Sequence, residues 1–87
     1  MLDNAEMKYK YITIRQENGE MFEGRPVYRI FNNRSVAQLG IISFYRPWKQ
    51  YVFSSQPECI FNASCLRDVL DFISVAGANQ AMFGGRP

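Results

Sequence analysis

Few residues of this chain are of the types that catalyse reactions or hold metals. It contains no histidine, and Cys59 and Cys65 are spaced neither as a metal-binding pair nor as a redox pair. A nucleophile paired with a histidine base therefore cannot be built. Asp68 and Asp71 fall on the solvent side of a predicted helix, and the Gly84-Gly85 pair does not open a helix as a phosphate-binding loop would. We expect no enzymatic activity, no cofactor and no metal, and two reduced cysteines.

Composition bounds the class of protein. The chain has 87 residues, 47% of them hydrophobic and 15% aromatic, which indicates one small packed domain. Its net charge of +2 is too small to establish nucleic-acid binding. No apolar run approaches the roughly 20 residues needed to span a bilayer, and the N-terminal residues do not form a signal peptide. These features favour a cytoplasmic protein that does not associate with membranes.

Alternating apolar and polar residues predict four strands, at residues 8–16, 26–32, 36–45 and 49–54. The first connection contains the turn signal Asn18-Gly19 and is either a long loop or a short extra ribbon that holds Met21 and Phe22. Asparagines at 32 and 33 mark the second turn. Pro47 marks the third, because proline presets the backbone angle needed at the second position of a turn.

One amphipathic helix follows the strands. Asn62 is a good N-cap, and Phe61 and Leu66 have the spacing of a hydrophobic staple. Gly77 is the predicted end of the helix. The predicted buried stripe consists of Leu66, Val69, Leu70 and Ile73, widened by Cys65 and Phe72.

This order of elements predicts an α+β fold of two layers, a four-stranded antiparallel β-meander with one C-terminal α-helix packed on one face. Residues 8–76 would form the single domain, with flexible tails at 1–7 and 78–87. The side chains predicted to lie beneath the helix are Ile12, Ile14, Tyr28, Ile30, Ile42, Phe44 and Val52.

The opposite face of the sheet is also predicted to be apolar, with basic side chains interleaved. A bare apolar face of this extent usually marks an interaction surface. A one-residue slip would exchange the two faces and leave this conclusion unchanged. The predicted members of the uncovered face are Tyr9, Tyr11, Val27, Phe31, Leu39, Ile41, Tyr45, Tyr51 and Phe53, with Arg15, Arg29 and Lys49.

Three kinds of partner fit such a face. A second copy of the chain would stack on it as an isologous homodimer, which the aliphatic residues favour because they do not stack on bases. A different protein would use the aromatic and arginine side chains as hot spots. Single-stranded nucleic acid would stack its bases on tyrosine and phenylalanine while arginine and lysine contact phosphates. The residues predicted to bind are Tyr9, Tyr11, Arg15, Arg29, Phe31, Tyr45, Lys49, Tyr51 and Phe53.

The third turn offers a second candidate contact site, formed by Arg46, Trp48 and Lys49. Against this interpretation, we expect Trp48 to fold back onto the edge of the helix and the charges to be merely solvated. No small-molecule substrate is evident from the sequence.

Two segments together carry a recognisable pattern, Trp48-Lys-Gln-Tyr-Val-Phe53 and, after Ile60-Phe61, Cys65-Leu-Arg-Asp-Val-Leu-Asp-Phe-Ile73. The chain resembles a group of short, uncharacterised proteins from bacteria, phages and mobile elements that share this strand and helix. The first connection and the segment after Ala76 depart from that pattern. The resemblance implies a small accessory protein without known catalytic residues. Phage accessory proteins of this size often inhibit host defence proteins by direct binding, so it also implies an anti-defence role.

Overall fold

The computed structural model describes the backbone of residues 6–84 and the side chains of residues 6–77. Five strands form one antiparallel sheet with the spatial order β1-β2-β5-β6-β7, and β3 and β4 form a separate two-stranded ribbon. The elements in chain order are β1 (Glu6–Lys8), β2 (Ile12–Arg15), β3 (Met21–Phe22), β4 (Arg25–Pro26), β5 (Tyr28–Asn32), β6 (Gln38–Tyr45), β7 (Gln50–Ser55) and α1 (Ala63–Gly84).

The α+β class and the antiparallel sheet with a helix after it are confirmed, but the strand count differs from the predicted four. The first predicted strand is in fact two, because the Tyr9 amide donates to the Ile12 carbonyl at 2.8 Å and turns the chain. β1 then pairs with β2 and sets Glu6 across from Arg15. The first connection takes the form of the short ribbon, with Met21 and Phe22 in β3.

The core lies between the sheet and the helix. Its most deeply buried side chains are four isoleucines on three strands, which β-branched residues suit because they pack well on a pleated surface. Ile14 lies directly opposite Ile30, so their side chains share one face. The fully buried residues are Ile12, Ile14, Ile30 and Ile42, and the helix contributes Val69, Phe72 and Ala76.

The face of β7 that packs under the helix differs from the prediction. Tyr51 lies opposite Phe44, and Phe53 lies opposite Ile42, so both aromatic side chains point into the core. Val52 was predicted to lie under the helix and instead points away from it. The prediction assigned the wrong face because Tyr45 pairs with Gln50, so the turn contains four residues. Odd-numbered side chains of β7 therefore share a face with even-numbered side chains of β6.

The start of the helix is confirmed. The Asn62 side chain accepts a hydrogen bond from the Cys65 amide at 2.8 Å, as an N-cap does. The Phe61 ring packs edge-on against Phe53, with the centroids 5.0 Å apart, and the staple on Leu66 stays a prediction. Leu66 is 46% exposed, which leaves it at the side of the buried stripe.

The buried side of the helix is rotated relative to the prediction. It consists of Cys65, Val69, Phe72, Ile73 and Ala76, whereas Leu70 is 62% exposed. The helix continues to Gly84, so Gly77 is not its end and residues 78–84 are not an unstructured tail. The other predicted tail, residues 1–7, is wrong for Glu6 and Met7, which belong to β1. Residues 1–5 and 85–87, and any docking of the side chains of Met82 or Phe83, lie outside the described residues.

Two glycines allow the packing of sheet and helix to be tested by the same substitution. A Cβ at Gly40 would lie 2.7 Å from the Ser54 carbonyl oxygen and 2.8 Å from the Phe53 ring, whereas a Cβ at Gly77 meets nothing within 4 Å. We expect Gly40→Ala to destabilise the fold by about 1–3 kcal/mol through overpacking. Gly77→Ala, in the helix interior, should stabilise it by about 0.5–1 kcal/mol. Urea unfolding of both variants measures the two effects, and shifts of the same sign would contradict these environments.

Candidate functional site

The predicted binding residues do not share one surface. Tyr9, Tyr51 and Phe53 were placed on the uncovered face and lie instead on the helix side of the sheet. Tyr51 is 5% exposed, and burial raises its pKa to about 12. The Tyr9 hydroxyl donates to Asp71 at 2.9 Å, and desolvation together with this bond raises the pKa of Tyr9 well above its ordinary value. Tyr9 ties the helix to the sheet and is half-buried, as is Phe53, whereas Tyr51 lies in the core and is not available to a partner.

The open face, defined as the side of the sheet away from α1, is more polar than predicted. Thr13 is buried there and donates a hydrogen bond to the Asn33 side chain. Phe31 is half-buried, and the guanidinium of Arg15 lies over its ring at 4.2 Å from the centroid. The prediction of a bare apolar face is therefore wrong. The other side chains that the register places on this face are Ile41, Ser43, Tyr45, Val52 and Ser54.

The two arginines of the open face are both paired with acids. Arg29 donates twice to the Glu20 carboxylate, at 2.7 Å from Nε and 2.7 Å from Nη2. Arg15 forms a 2.8 Å ion pair with Glu17. The hydrogen bond from Arg29 lowers the pKa of Glu20, although burial partly opposes the shift. Because each guanidinium already has a carboxylate partner, the open face offers little positive charge to a phosphate backbone.

A shallow groove of about 200 Å³ crosses the open face between β1 and the loop that follows β5. Its charged groups are of both signs, Glu6 with Lys8 and Arg15. The Asn33 side chain in its wall donates to the Tyr9 carbonyl at 2.8 Å and accepts from Thr13. The charges of this groove are of mixed sign, and the Asn33 side chain already has hydrogen-bond partners. Neither feature favours the binding of a small ligand.

The turn between β6 and β7 presents the most exposed aromatic ring of the described chain. Trp48 is 65% exposed, and its ring stands at 90° to Tyr45 with the centroids 5.1 Å apart. It does not fold back onto the helix edge, and that prediction is wrong. The turn is held by bonds from the Trp48 amide to the Tyr45 carbonyl at 3.2 Å and from the Lys49 amide to the Arg46 carbonyl at 3.0 Å.

The β3–β4 ribbon joins this turn. Arg46 donates to Glu23 at 3.3 Å, and the neighbouring Phe22 is 57% exposed. Cations and aromatic rings therefore meet at one end of the sheet. We call this end the tip surface and define it by Phe22, Tyr45, Arg46, Trp48 and Lys49. Tyr11 is 47% exposed but lies at the other end, in the turn between β1 and β2.

The structure brings most of the predicted binding residues into two groups, with Arg15, Arg29 and Phe31 on the open face and Tyr45, Arg46, Trp48 and Lys49 at the tip surface. Phe22 was not among them, because a two-residue strand gives no periodic signal. Its position beside the strong turn signal Asn18-Gly19 was the one available indication that it lies in a protruding ribbon. Within residues 6–77, no three acidic or cysteine side chains come together as a metal site would require.

Comparisons with known proteins identify no relative. No protein-family model matches the chain, and neither the curated proteins nor the solved structures contain a match. Among the described residues, no helix has the length and apolar character needed to cross a membrane. The resemblance to short phage and mobile-element proteins, and the cytoplasmic location, stay predictions.

The ion pair between Glu20 and Arg29 predicts a pH dependence of stability. Because the folded state lowers the pKa of Glu20, its stabilisation is present above the ordinary value of 4.5 and is lost as the pH falls through the lowered pKa. Glu20→Gln should reduce the free energy of unfolding by up to about 1 kcal/mol at neutral pH, since the pair is partly exposed. The difference from the parent should disappear in acid. Urea unfolding at several pH values measures it, with Glu17→Gln as the control for an ion pair between near neighbours. If the difference in unfolding free energy between the parent and Glu20→Gln were the same in acid as at neutral pH, the ion pair would not be its source.

Proposed function

We propose that this protein is a non-enzymatic binding module that docks on a partner protein through the tip surface. The observation that carries the proposal is the exposure of Trp48, whose ring stands edge-on to Tyr45 at the end of the β6–β7 hairpin. A tryptophan side chain buries roughly 150–250 Å² when covered, and tryptophan, tyrosine and arginine dominate binding hot spots. Three of these hot-spot residues, Tyr45, Arg46 and Trp48, lie within four positions of the sequence.

The tip surface is organised before a partner arrives. Backbone hydrogen bonds within the turn fix Trp48, and the ion pair between Arg46 and Glu23 ties the turn to the ribbon. The Arg46 side chain is still 73% exposed and has further donors to offer. Because these groups are already positioned, binding loses less conformational entropy than docking of a flexible loop would.

The charges favour a protein partner over single-stranded nucleic acid. A strand of nucleic acid needs a continuous basic track beside the stacking rings. Here Arg15 and Arg29 are paired with acids on the open face, and Glu23 sits against Arg46 at the tip. Phosphate would meet carboxylates along this path. A partner protein can instead use Arg46 for a hydrogen bond and cover the tryptophan with an apolar pocket.

The resemblance to phage and mobile-element proteins suggests what kind of protein the partner is. Accessory proteins of that kind often act by occupying a surface of a host protein. Inhibition of a host defence protein therefore remains our hypothesis for the biological role. It requires no catalytic group, which agrees with the lack of histidine in the sequence.

Trp48→Ala tests the proposal directly. We expect it to weaken partner binding by about 2 kcal/mol or more, roughly thirtyfold, with little change in folding because the ring is largely exposed. Tyr11→Ala is the matched control, since it removes an exposed ring at the other end of the sheet. Partners can be captured from host extract with the parent and both variants, and the affinity of each can then be measured by isothermal titration calorimetry, which does not depend on the single tryptophan.

Two results would contradict the proposal. One is a specific partner that binds Trp48→Ala as tightly as it binds the parent. The other is tight binding of single-stranded oligonucleotides with an affinity that falls steeply with salt, which would favour nucleic acid as the partner.

A further inference from the structure

The two edges of the main sheet differ in how they are protected. β1 has three residues, two of them the exposed charges Glu6 and Lys8, and short charged strands resist pairing with other chains. β7 has six residues with the sequence QYVFSS, containing no charge and no proline, and its register with β6 has no bulge. We propose that β7 is a dimerisation edge, on which β7 of a second copy pairs in antiparallel orientation.

The ladder with β6 shows which backbone groups of β7 are free to pair. The Gln56 amide donates to the Leu39 carbonyl at 2.8 Å and continues the ladder past Ser55. Hydrogen-bonding pairs alternate along an antiparallel ladder, so Ser54 and Val52 also bond towards β6. The amide and carbonyl groups of Tyr51, Phe53 and Ser55 therefore point outward along the edge.

Those outward groups are self-complementary. Two copies of one strand pair in antiparallel orientation around a two-fold axis, with a residue opposite its own copy at the centre. The two-fold axis can pass beside Val52 or beside Phe53. In both of these registers the outward-pointing amide and carbonyl groups of one copy lie opposite those of the other. This pairing also keeps the core-facing side chains of both copies on the same face, and it joins the two five-stranded sheets into a single ten-stranded sheet.

The helix supports the same arrangement. Such a two-fold axis is perpendicular to the sheet, so both helices lie on the same face with identical sides towards each other. Asp71 bonds to Tyr9, next to β1, so that side of the helix faces the β1 edge. At 100° per residue, Leu66 and Leu70 lie on the opposite side of the buried stripe, towards β7. Their exposed fractions are 46% and 62%, and a second copy would cover them.

The charges at the ends of β7 fit this orientation. Lys49 precedes the strand and Glu58 follows it. Antiparallel pairing brings the lysine end of one copy to the glutamate end of the other, and parallel pairing would place like charges together. The dimer would also carry its two tip surfaces at opposite ends.

The mass of the protein in solution tests the dimer. Size exclusion with light scattering at micromolar concentration should give twice the chain mass of 10.1 kDa. Ser55→Pro removes an outward amide and should weaken dimerisation about tenfold or more, whereas Ser55→Ala should not. Leu70→Glu should have the same effect because it places like charges face to face, and Val75→Glu adds the same charge on the opposite side of the helix as its control.

The outcomes separate this inference from the proposed function. A monomeric parent protein, or a dimer that persists in folded Ser55→Pro and Leu70→Glu, would overturn it. Circular dichroism of each variant distinguishes loss of pairing from loss of folding. Trp48→Ala should remain a dimer, so failure of partner binding through the tip would leave the dimer result standing.

Discussion

The edge-on contact between Phe72 of the helix and Tyr28 of the central sheet fixes which face of the sheet is covered. Their ring centroids are 4.8 Å apart, and Tyr28 in turn lies 6.0 Å from Tyr51. These rings pack in one core with the buried isoleucines. Tyr28 of β5 and the two rings of β7 are used on this side, which leaves the open face of the described sheet with Phe31 and Tyr45 among smaller and more polar side chains. The surface chemistry of the protein follows from this division.

The local elements could be predicted from the sequence because their signals are local. The N-cap at Asn62 acts within one turn of helix, and the isoleucines of β2, β5 and β6 identify the covered face through their alternation. The face of β7 could not be predicted in the same way. It depends on the number of residues in the turn after Tyr45, and shifting a strand boundary by one residue reverses every side chain that follows. For this reason the prediction placed Val52 under the helix and Tyr51 and Phe53 on the opposite face, the reverse of what the structure shows.

The open face could not be predicted because its charges are neutralised by residues outside the strands. Glu20 lies in the first connection, nine positions before Arg29, and periodicity does not reveal that the two meet. The same holds for Glu23, which reaches Arg46 from the ribbon. Alternation within strands therefore overestimated both the apolar area and the free positive charge. An interaction face inferred from strand patterns alone omits the contribution of the loops that cross it.

One turn links the core of this protein to its candidate site. Its four residues set Tyr51 and Phe53 under the helix, and Lys49 adopts the left-handed conformation, with φ of 55°, that closes the hairpin. The same geometry holds Trp48 outward against Tyr45. A tryptophan in a looser turn would move to cover itself, because exposing an indole is unfavourable. Here two hydrogen bonds within the turn, from the Trp48 and Lys49 amides, hold the backbone that carries the ring. The same turn that places Tyr51 and Phe53 in the core therefore also presents Trp48, 65% exposed, at the tip surface.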